Sequence, residues 1–535
     1  MPRDNWWPTL TRAERAALGL IILVAVAVRI AGLTAESFWV DEAASWAFSR
    51  MPLGQLWGEI YHYEPHPPGY YSILKAWSAI FGESEAALRS LSVVAGSLTV
   101  AMTFFAGRLA FAGEKGTWVG VTSAALIALH PAQITYSQEA RGYALLCLGV
   151  SMVLVALAWW LRHPETLSDP GKGERGKASL RSRQASALFV SGLALAFWMH
   201  FTAALLVGLM VAIAILVLIL QSESPWRTTR KFAGLGVLVV LLWLPGLALA
   251  VIALTQHLTQ GFWLKPPTIH QVVYGLDFLV GSYGIAGRPT TQAIAVAAAA
   301  IPAAAGLLAL LASRQWRLAL VLLAGTLLPV TASVVVSYVV TPIFLPRTLL
   351  WIEICFVLLI ACGVVLFENR LARVAYLALL VSLVIVLELL AQHPKEPWRQ
   401  VVATLEQRAA PRDLLVVWNH YGHVPLQYYR LAEKVEAARL ITWSSGGKYP
   451  TLEEVFTPRM EASGPELLSS LRKAEQTSGA VWLLLRTSKG NPAVAPSIEF
   501  LTSVRGDPET VVHFRSGTRG FDPPFIVLRF PAIPE

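Results

Sequence analysis

The stretch Ala35–Tyr71, AESFWVDEAASWAFSRMPLGQLWGEIYHYEPHPPGYY, decides how the rest of the chain is read. One apolar run precedes it and a long series of apolar runs follows it. The stretch itself is polar, aromatic and punctuated by proline. Asp41 and Glu42 stand a few residues past the first apolar run. Glu64 and His66 come later, among Pro65, Pro67 and Pro68. Acids set beside a membrane surface are costly to dehydrate and usually have a task there.

Working outward, composition fixes the solvent. Of 535 residues, 55% are hydrophobic and 14% charged, with a mean hydropathy of +0.54. A soluble domain carries roughly 25% charged residues. That deficit, with repeated apolar runs of about 20 residues, predicts an α-helical polytopic membrane protein. The alternation of a membrane β-barrel is absent. Net charge is +9, yet no basic stripe marks a folded domain, so a nucleic-acid partner is excluded. Ala17–Leu33 lacks a small-residue cleavage site and reads as a retained span. Cys147, Cys355 and Cys362 all lie in apolar runs and form no disulfide framework.

About eleven spans are expected, near 17–34, 88–112, 117–133, 143–161, 186–199, 202–220, 233–254, 291–311, 318–340, 347–366 and 374–391. The run 187–220 is too long for one span and is broken near His200. Alternating sides collect seventeen Lys and Arg on one face of the membrane and six on the other. By the positive-inside rule the N-terminus is cytoplasmic, and the Asp41 loop and the C-terminal tail are extracytoplasmic. Residues 162–184 read as a cytoplasmic linker. Residues 255–290 form a long outer loop of the kind that serves as a lid. From about Gln392 the composition turns soluble. Buried strands are expected at 413–418 and 480–485, with two more at 511–515 and 525–530, and helices at 401–408 and 465–475. Two domains follow: a membrane domain, 1–391, with an outer loop at 35–87, and a small accessory α/β domain, 392–535.

Three outer-side constellations can carry chemistry. In FWVDEA, Phe38 and Trp39 suit an aromatic interface belt. Asp41 can cap a helix lying on the bilayer, with Glu42 in its first turn; it can equally be an active carboxylate. In the second constellation, prolines hold Glu64 and His66 on a stiff extended segment that leads into a helix 69–81 carrying Tyr70. That segment is either a rigid connector or a site. In the third, Gln138, Glu139, Arg141 and Tyr143 cluster at the head of the fourth span. The arginine fork there suits phosphate or carboxylate, or a structural ion pair with Glu139 or Asp41. Lys265, Arg288 and Arg347 are further outer cations that fit lipid headgroups as well as a ligand. Arg29, His200 and Glu353 lie within apolar runs, where helix contacts or cavity lining account for them.

Taken together, FWVDEA (38–43), HPPGYY (66–71) with FGESEAALRSLS (81–92), and YSQEARGYALL (136–146) resemble the polyprenyl-phosphate-dependent glycosyltransferases of the GT-C superfold. The group is that of the protein mannosyltransferases and lipid A aminoarabinose transferases, glycosyltransferase family 39. PRTLL (346–350) sits where many relatives have an Arg-Tyr pair, and here Thr348 replaces the tyrosine. The resemblance covers roughly Leu18 to Trp160 well and the later spans by layout.

The resemblance implies a bacterial inner-membrane enzyme. It would move a hexosyl or pentosyl group from an undecaprenyl-type monophosphate to a lipid, glycan or protein hydroxyl of the cell envelope. Asp41 maps to the catalytic carboxylate and Glu64 to a second site acid. Glu139 and Arg141 map to the donor site, with Glu42, His66, Tyr70, Gln138, Tyr143, Lys265 and Arg347 as further binding candidates. Direct displacement with Asp41 as general base would invert the anomeric centre. No cofactor is firmly implied, although Asp41 and Glu64 could share a divalent cation with the phosphate. A transporter or flippase of lipid-linked sugars is the alternative class. It would favour internal repeats and mid-membrane polar residues, whereas here there is no repeat and the acids lie at one surface.

Overall fold

Long apolar runs without internal partners for their backbone groups must satisfy them within the helix, and this shapes the computed structural model. It describes residues 10–60, 66–168, 177–260, 264–282, 289–390, 395–410, 413–418, 420–431, 439–442, 468, 471–472, 479–487, 491–492, 494–514 and 524–533. The chain folds as two compact units. One comprises residues 1–31, 65–73 and 89–392, the other 32–64, 74–88 and 393–535.

In chain order, α1 (Arg12–Ile30) leads to α2 (Val40–Arg50), α3 (Leu53–Glu59) and α4 (Gly69–Phe81). The long α5 (Glu85–Ala110) and α6 (Gly113–Leu129) follow, then a short α7 (Pro131–Ser137), α8 (Tyr143–Arg162) and α9 (Glu165–Ser168). Next come α10 (Lys177–Met199), α11 (Phe201–Gln221), α12 (Pro225–Gln260), α13 (Ile269–Leu279), α14 (Pro289–Ala312) and α15 (Trp316–Val339). A 3-10 turn (Pro346–Leu349), α16 (Ile352–Cys362) and α17 (Arg370–Leu390) complete the apolar part. All eleven apolar segments expected from the sequence fall on helices. Among the described residues, seven helices are long and apolar enough to cross a membrane: α5, α8, α11, α12, α14, α15 and α17. The chain is a multi-pass membrane protein.

The break expected near His200 is present. His200 is extended (φ −159°, ψ 131°), and its Nδ1 accepts a hydrogen bond from Thr202 N at 3.2 Å, capping α11. At the entry to α1, Thr11 and Glu14 form a capping box. Glu14 Oε1 also accepts from Arg108 Nε at 2.7 Å and Thr117 Oγ1 at 2.6 Å, tying α1 to α5 and α6. Between α8 and α10, Gly149 and Gly192 face each other. A Cβ at Gly149 would lie 2.6 Å from the Gly192 carbonyl oxygen. Small residues allow the backbone approach on which helix packing in lipid depends.

The second unit carries α18 (Trp398–Arg408), β1 (Leu414–Trp418), α19 (His423–Tyr428), β2 (Arg439–Thr442), β3 (Val481–Leu485), α20 (Ala495–Arg505), β4 (Glu509–Phe514) and β5 (Phe525–Phe530). The strands form one five-stranded sheet in the order β2-β1-β3-β5-β4. β1 runs parallel to β2 and β3, while β5 is antiparallel to β3 and β4. β1 and β3 are buried along their whole length, which explains their unbroken apolar sequence. Asp413 locks their start: it accepts from Ala480 N at 2.9 Å and Trp482 Nε1 at 2.8 Å. One sheet face packs on Trp398, Val401 and Leu405 of α18 together with Val40 of α2. The other packs on Leu471, Val494 and Leu501. The four expected strands are present; β2 and α20 were not anticipated. The helix expected at 465–475 lies largely outside the described residues.

Candidate functional site

The candidate residues fall into one group in each unit. In the first, the turn from α7 into α8 carries Arg141, which is 4% exposed. Its Nη1 donates to Tyr71 Oη at 3.4 Å, and its Nη2 lies 3.5 Å from His66 Nε2. A guanidinium has no acceptor, so His66 can take part in this contact only through an unprotonated Nε2. The Arg141 Cζ lies 5.9 Å from the centre of the Tyr143 ring, and His66 meets His200 edge-on at 4.6 Å. His66, Tyr70, Tyr71, Arg141, Gly142, Tyr143 and Met199 line one narrow cleft. Three separate stretches supply it: the proline segment, the head of α8, and the break between α10 and α11. The HPPGYY stretch reaches this cleft because Pro68 stands just ahead of α4, whose first turn carries Tyr70 and Tyr71.

Several expected binding residues sit elsewhere in this unit. Gln138 donates its amide to the carbonyls of Val28, Arg29 and Ala31 at 3.2, 3.2 and 2.8 Å. It thereby satisfies the open C-terminal end of α1. Arg29 is fully buried and bonds Ser137 Oγ and the carbonyls of Ala128 and Ile127, so it staples α1 to α6 and α7. Glu353 is buried against His130 Nδ1 (3.1 Å) and Gln133 Nε2 (3.0 Å). Helix contacts thus account for Arg29 and Glu353. Glu139 is buried beside Arg141 in sequence. Lys265 is exposed ahead of α13, and Arg347 sits on the 3-10 turn, where Thr348 Oγ1 bonds back to Leu345 O at 2.8 Å.

In the second unit, Asp41 is the second residue of α2. Trp39 is the N-cap and makes no side-chain cap bond. The capping role considered for Asp41 is therefore not the observed one: the helix begins two residues earlier, because Val40 is drawn into the apolar core. Asp41 is half-buried in a first turn whose backbone dipoles favour negative charge. Glu42 is fully buried, and its Oε2 lies 3.1 Å from Lys395 Nζ. Glu64 lies outside the described residues, so the shared cation with Asp41 does too. Among the described residues no group of three or more His, Cys, Asp or Glu is placed to hold a metal ion.

Sequence reasoning missed Lys395 and Glu396, which follow α17 and return to FWVDEA. Glu396 Oε2 accepts from Val40 N at 3.3 Å and Trp398 Nε1 at 2.7 Å, and Oε1 accepts from Arg486 Nε at 2.8 Å. The Glu396 carbonyl accepts from Ser37 Oγ at 2.6 Å. At the other end of α2, Lys75 Nζ donates to the carbonyls of Ser49 and Met51 at 3.2 and 3.1 Å. An open cleft of about 970 Å³ is lined by Trp46, Arg50, Glu83, Glu85, Arg399 and Tyr428, among others. Its acids are engaged. Glu83 takes Trp46 Nε1 and Arg50 at 3.0 and 2.9 Å, and Glu85 takes Arg399 and the Tyr429 hydroxyl. Burial and the Glu85 carboxylate together push the Tyr429 phenol above its ordinary range.

An α-helical membrane part joined to a small α/β sheet domain, in this order, is the GT-C fold. The solved structure of ArnT from Cupriavidus metallidurans bound to undecaprenyl phosphate shares it, at a TM-score of 0.54 and 13% identity. That match covers 97% of this chain and 99% of that one. The apo oligosaccharyltransferase of Archaeoglobus fulgidus shares it at a TM-score of 0.51 and 12% identity, over 99% of this chain and 77% of that one. At such identities the likeness is one of fold. No family model matches the sequence, and no curated protein matches it.

Proposed function

We propose that this chain is a membrane glycosyltransferase that moves a sugar from a polyprenyl monophosphate to a hydroxyl of a lipid, glycan or protein on the extracytoplasmic face. The observation that carries this reading is the buried Arg141, held by Tyr71 and His66 in one cleft of a GT-C fold. A fixed guanidinium beside neutral hydrogen-bonding partners keeps donor capacity for a phosphate monoester. The fold is shared with a protein solved with undecaprenyl phosphate bound.

In the reaction, the acceptor hydroxyl oxygen attacks the anomeric carbon as the bond from that carbon to the phosphate oxygen breaks. Asp41 takes the hydroxyl proton, and the polyprenyl phosphate leaves with the bonding pair. Arg141 stabilises the charge that grows on the leaving phosphate. Single displacement inverts the anomeric centre. His66, Tyr70 and Tyr143 orient the donor. Glu64 serves as a second acid, and a divalent cation shared with Asp41 remains part of the proposal. The inner membrane of a bacterium is the expected setting, with the C-terminal unit outside the cytoplasm.

The test is transfer by the purified, lipid-reconstituted protein supplied with a panel of polyprenyl-phosphate sugars. Release of polyprenyl phosphate together with a glycosylated acceptor supports the reading. Movement of intact lipid-linked sugar across the bilayer without cleavage would replace it with a flippase.

A further inference from the structure

The acid assigned as base sits between two anchored neighbours. Val40, just before Asp41, is 4% exposed and packs into the core of the sheet domain with Trp398, Leu415 and Trp482. Its backbone N–H donates to Glu396 Oε2 at 3.3 Å. Glu42, just after Asp41, is fully buried and pairs with Lys395 at 3.1 Å. Three residues before Val40, Ser37 donates to the Glu396 carbonyl at 2.6 Å. Glu396 is itself fixed by Trp398 Nε1 at 2.7 Å and by Arg486 Nε at 2.8 Å, from the end of β3. Only Asp41 in this run keeps a half-exposed side chain.

We propose that Lys395 and Glu396 form a positioning clamp that sets the backbone of FWVDEA, and with it the direction of the Asp41 carboxylate. This rests on the assignment of Asp41 as the base. The geometry explains why a soluble domain without a phosphate loop of its own is attached: it supplies the rigid outer wall for a base carried on a loop. A helix start held only by its own dipole frays within its first turn. Here three side-chain bonds and one buried ion pair hold it. Reaction rates are steep in this placement, since a shift of about 1 Å costs roughly a hundredfold.

The test uses the full-length reconstituted protein in two variants, Glu396→Ala and the charge-neutral pair Glu42→Gln/Lys395→Met. The pair leaves no buried charge unpaired, so it stays informative if Glu396→Ala folds poorly. Each is expected to lower kcat about ten- to a hundredfold with KM for the polyprenyl-phosphate sugar little changed. Each should cost nothing more once Asp41→Asn is present, because the positioned group is gone. Lys395→Arg, which keeps the charge, should retain most of kcat. A role in folding alone would leave kcat per folded molecule intact.

A second readout needs no turnover. Cys147, Cys355 and Cys362 are buried, so Asp41→Cys offers one accessible thiol, and Glu396→Ala should change its rate of labelling by a charged thiol reagent several-fold. Unchanged labelling, or wild-type kcat in both variants, overturns the clamp. Wild-type activity of Asp41→Asn would instead remove the base assignment, and the labelling rate would still decide the clamp.

Discussion

Arg141→Lys tests whether the cleft at the head of α8 binds phosphate through geometry or merely through charge. The guanidinium spans Tyr71 Oη at 3.4 Å and His66 Nε2 at 3.5 Å, with the Tyr143 ring 5.9 Å away. One ammonium cannot hold two partners on either side and still present a parallel pair of donors to a phosphate. A hydrogen bond to a charged group contributes about 1.5–3 kcal/mol. The lysine loses one such bond to the donor and the fork that aims the other. A loss of about 2–3 kcal/mol in transition-state stabilisation is about 30- to 150-fold in kcat/KM. The assay is transfer from polyprenyl-phosphate sugar by reconstituted protein, with the amount of inserted, monodisperse protein measured beside it. The loss should appear in donor use while insertion and yield stay normal. Wild-type kcat/KM in Arg141→Lys refutes the fork. Aggregation or disappearance of Arg141→Ala from the membrane, with the lysine variant unaffected, makes the arginine a structural ion-pair partner.

Two further outcomes follow from other parts of the chain. A reporter fused after Glu535 should read as extracytoplasmic and one inserted within 171–176 as cytoplasmic, as the seventeen-to-six charge count requires; both on one side contradicts the orientation. Glu42→Gln strands the Lys395 ammonium, whose side chain is 11% exposed. It should lower stability by about 3 kcal/mol, seen as a lower Tm in detergent. A Tm equal to wild type would mean that the pair is not buried in solution.

Much of the membrane part was legible because its signal is local. An apolar run long enough to span needs no partner to declare itself, and His200 marks a helix boundary by interrupting one such run. β1 and β3 were legible for the same reason, as unbroken apolar strands. The shared cleft of His66, Tyr70, Arg141 and Tyr143 drew together residues singled out one motif at a time. What stayed hidden depends on contacts between distant residues. Nothing near Lys395 announces Glu42, which precedes it by 353 residues. Gln138 read as a donor-site residue because of its neighbours, but its amide bonds the end of α1. Asp41 read as a possible cap because the local pattern allowed it. The core moved the helix start by pulling in Val40, an effect of tertiary packing on which the local sequence is silent.

The central claim is that Asp41 is the general base. Asp41→Asn preserves size, and the native side chain is not the cap of α2, so folding should be close to wild type. An amide cannot readily take the acceptor proton, and a base supplies about a hundred- to ten-thousand-fold in rate. The measurement is turnover of polyprenyl-phosphate sugar by the reconstituted Asp41→Asn protein, with its Tm recorded beside that of the wild type. The account predicts near-complete loss of transfer at an unchanged Tm. Wild-type turnover would contradict it.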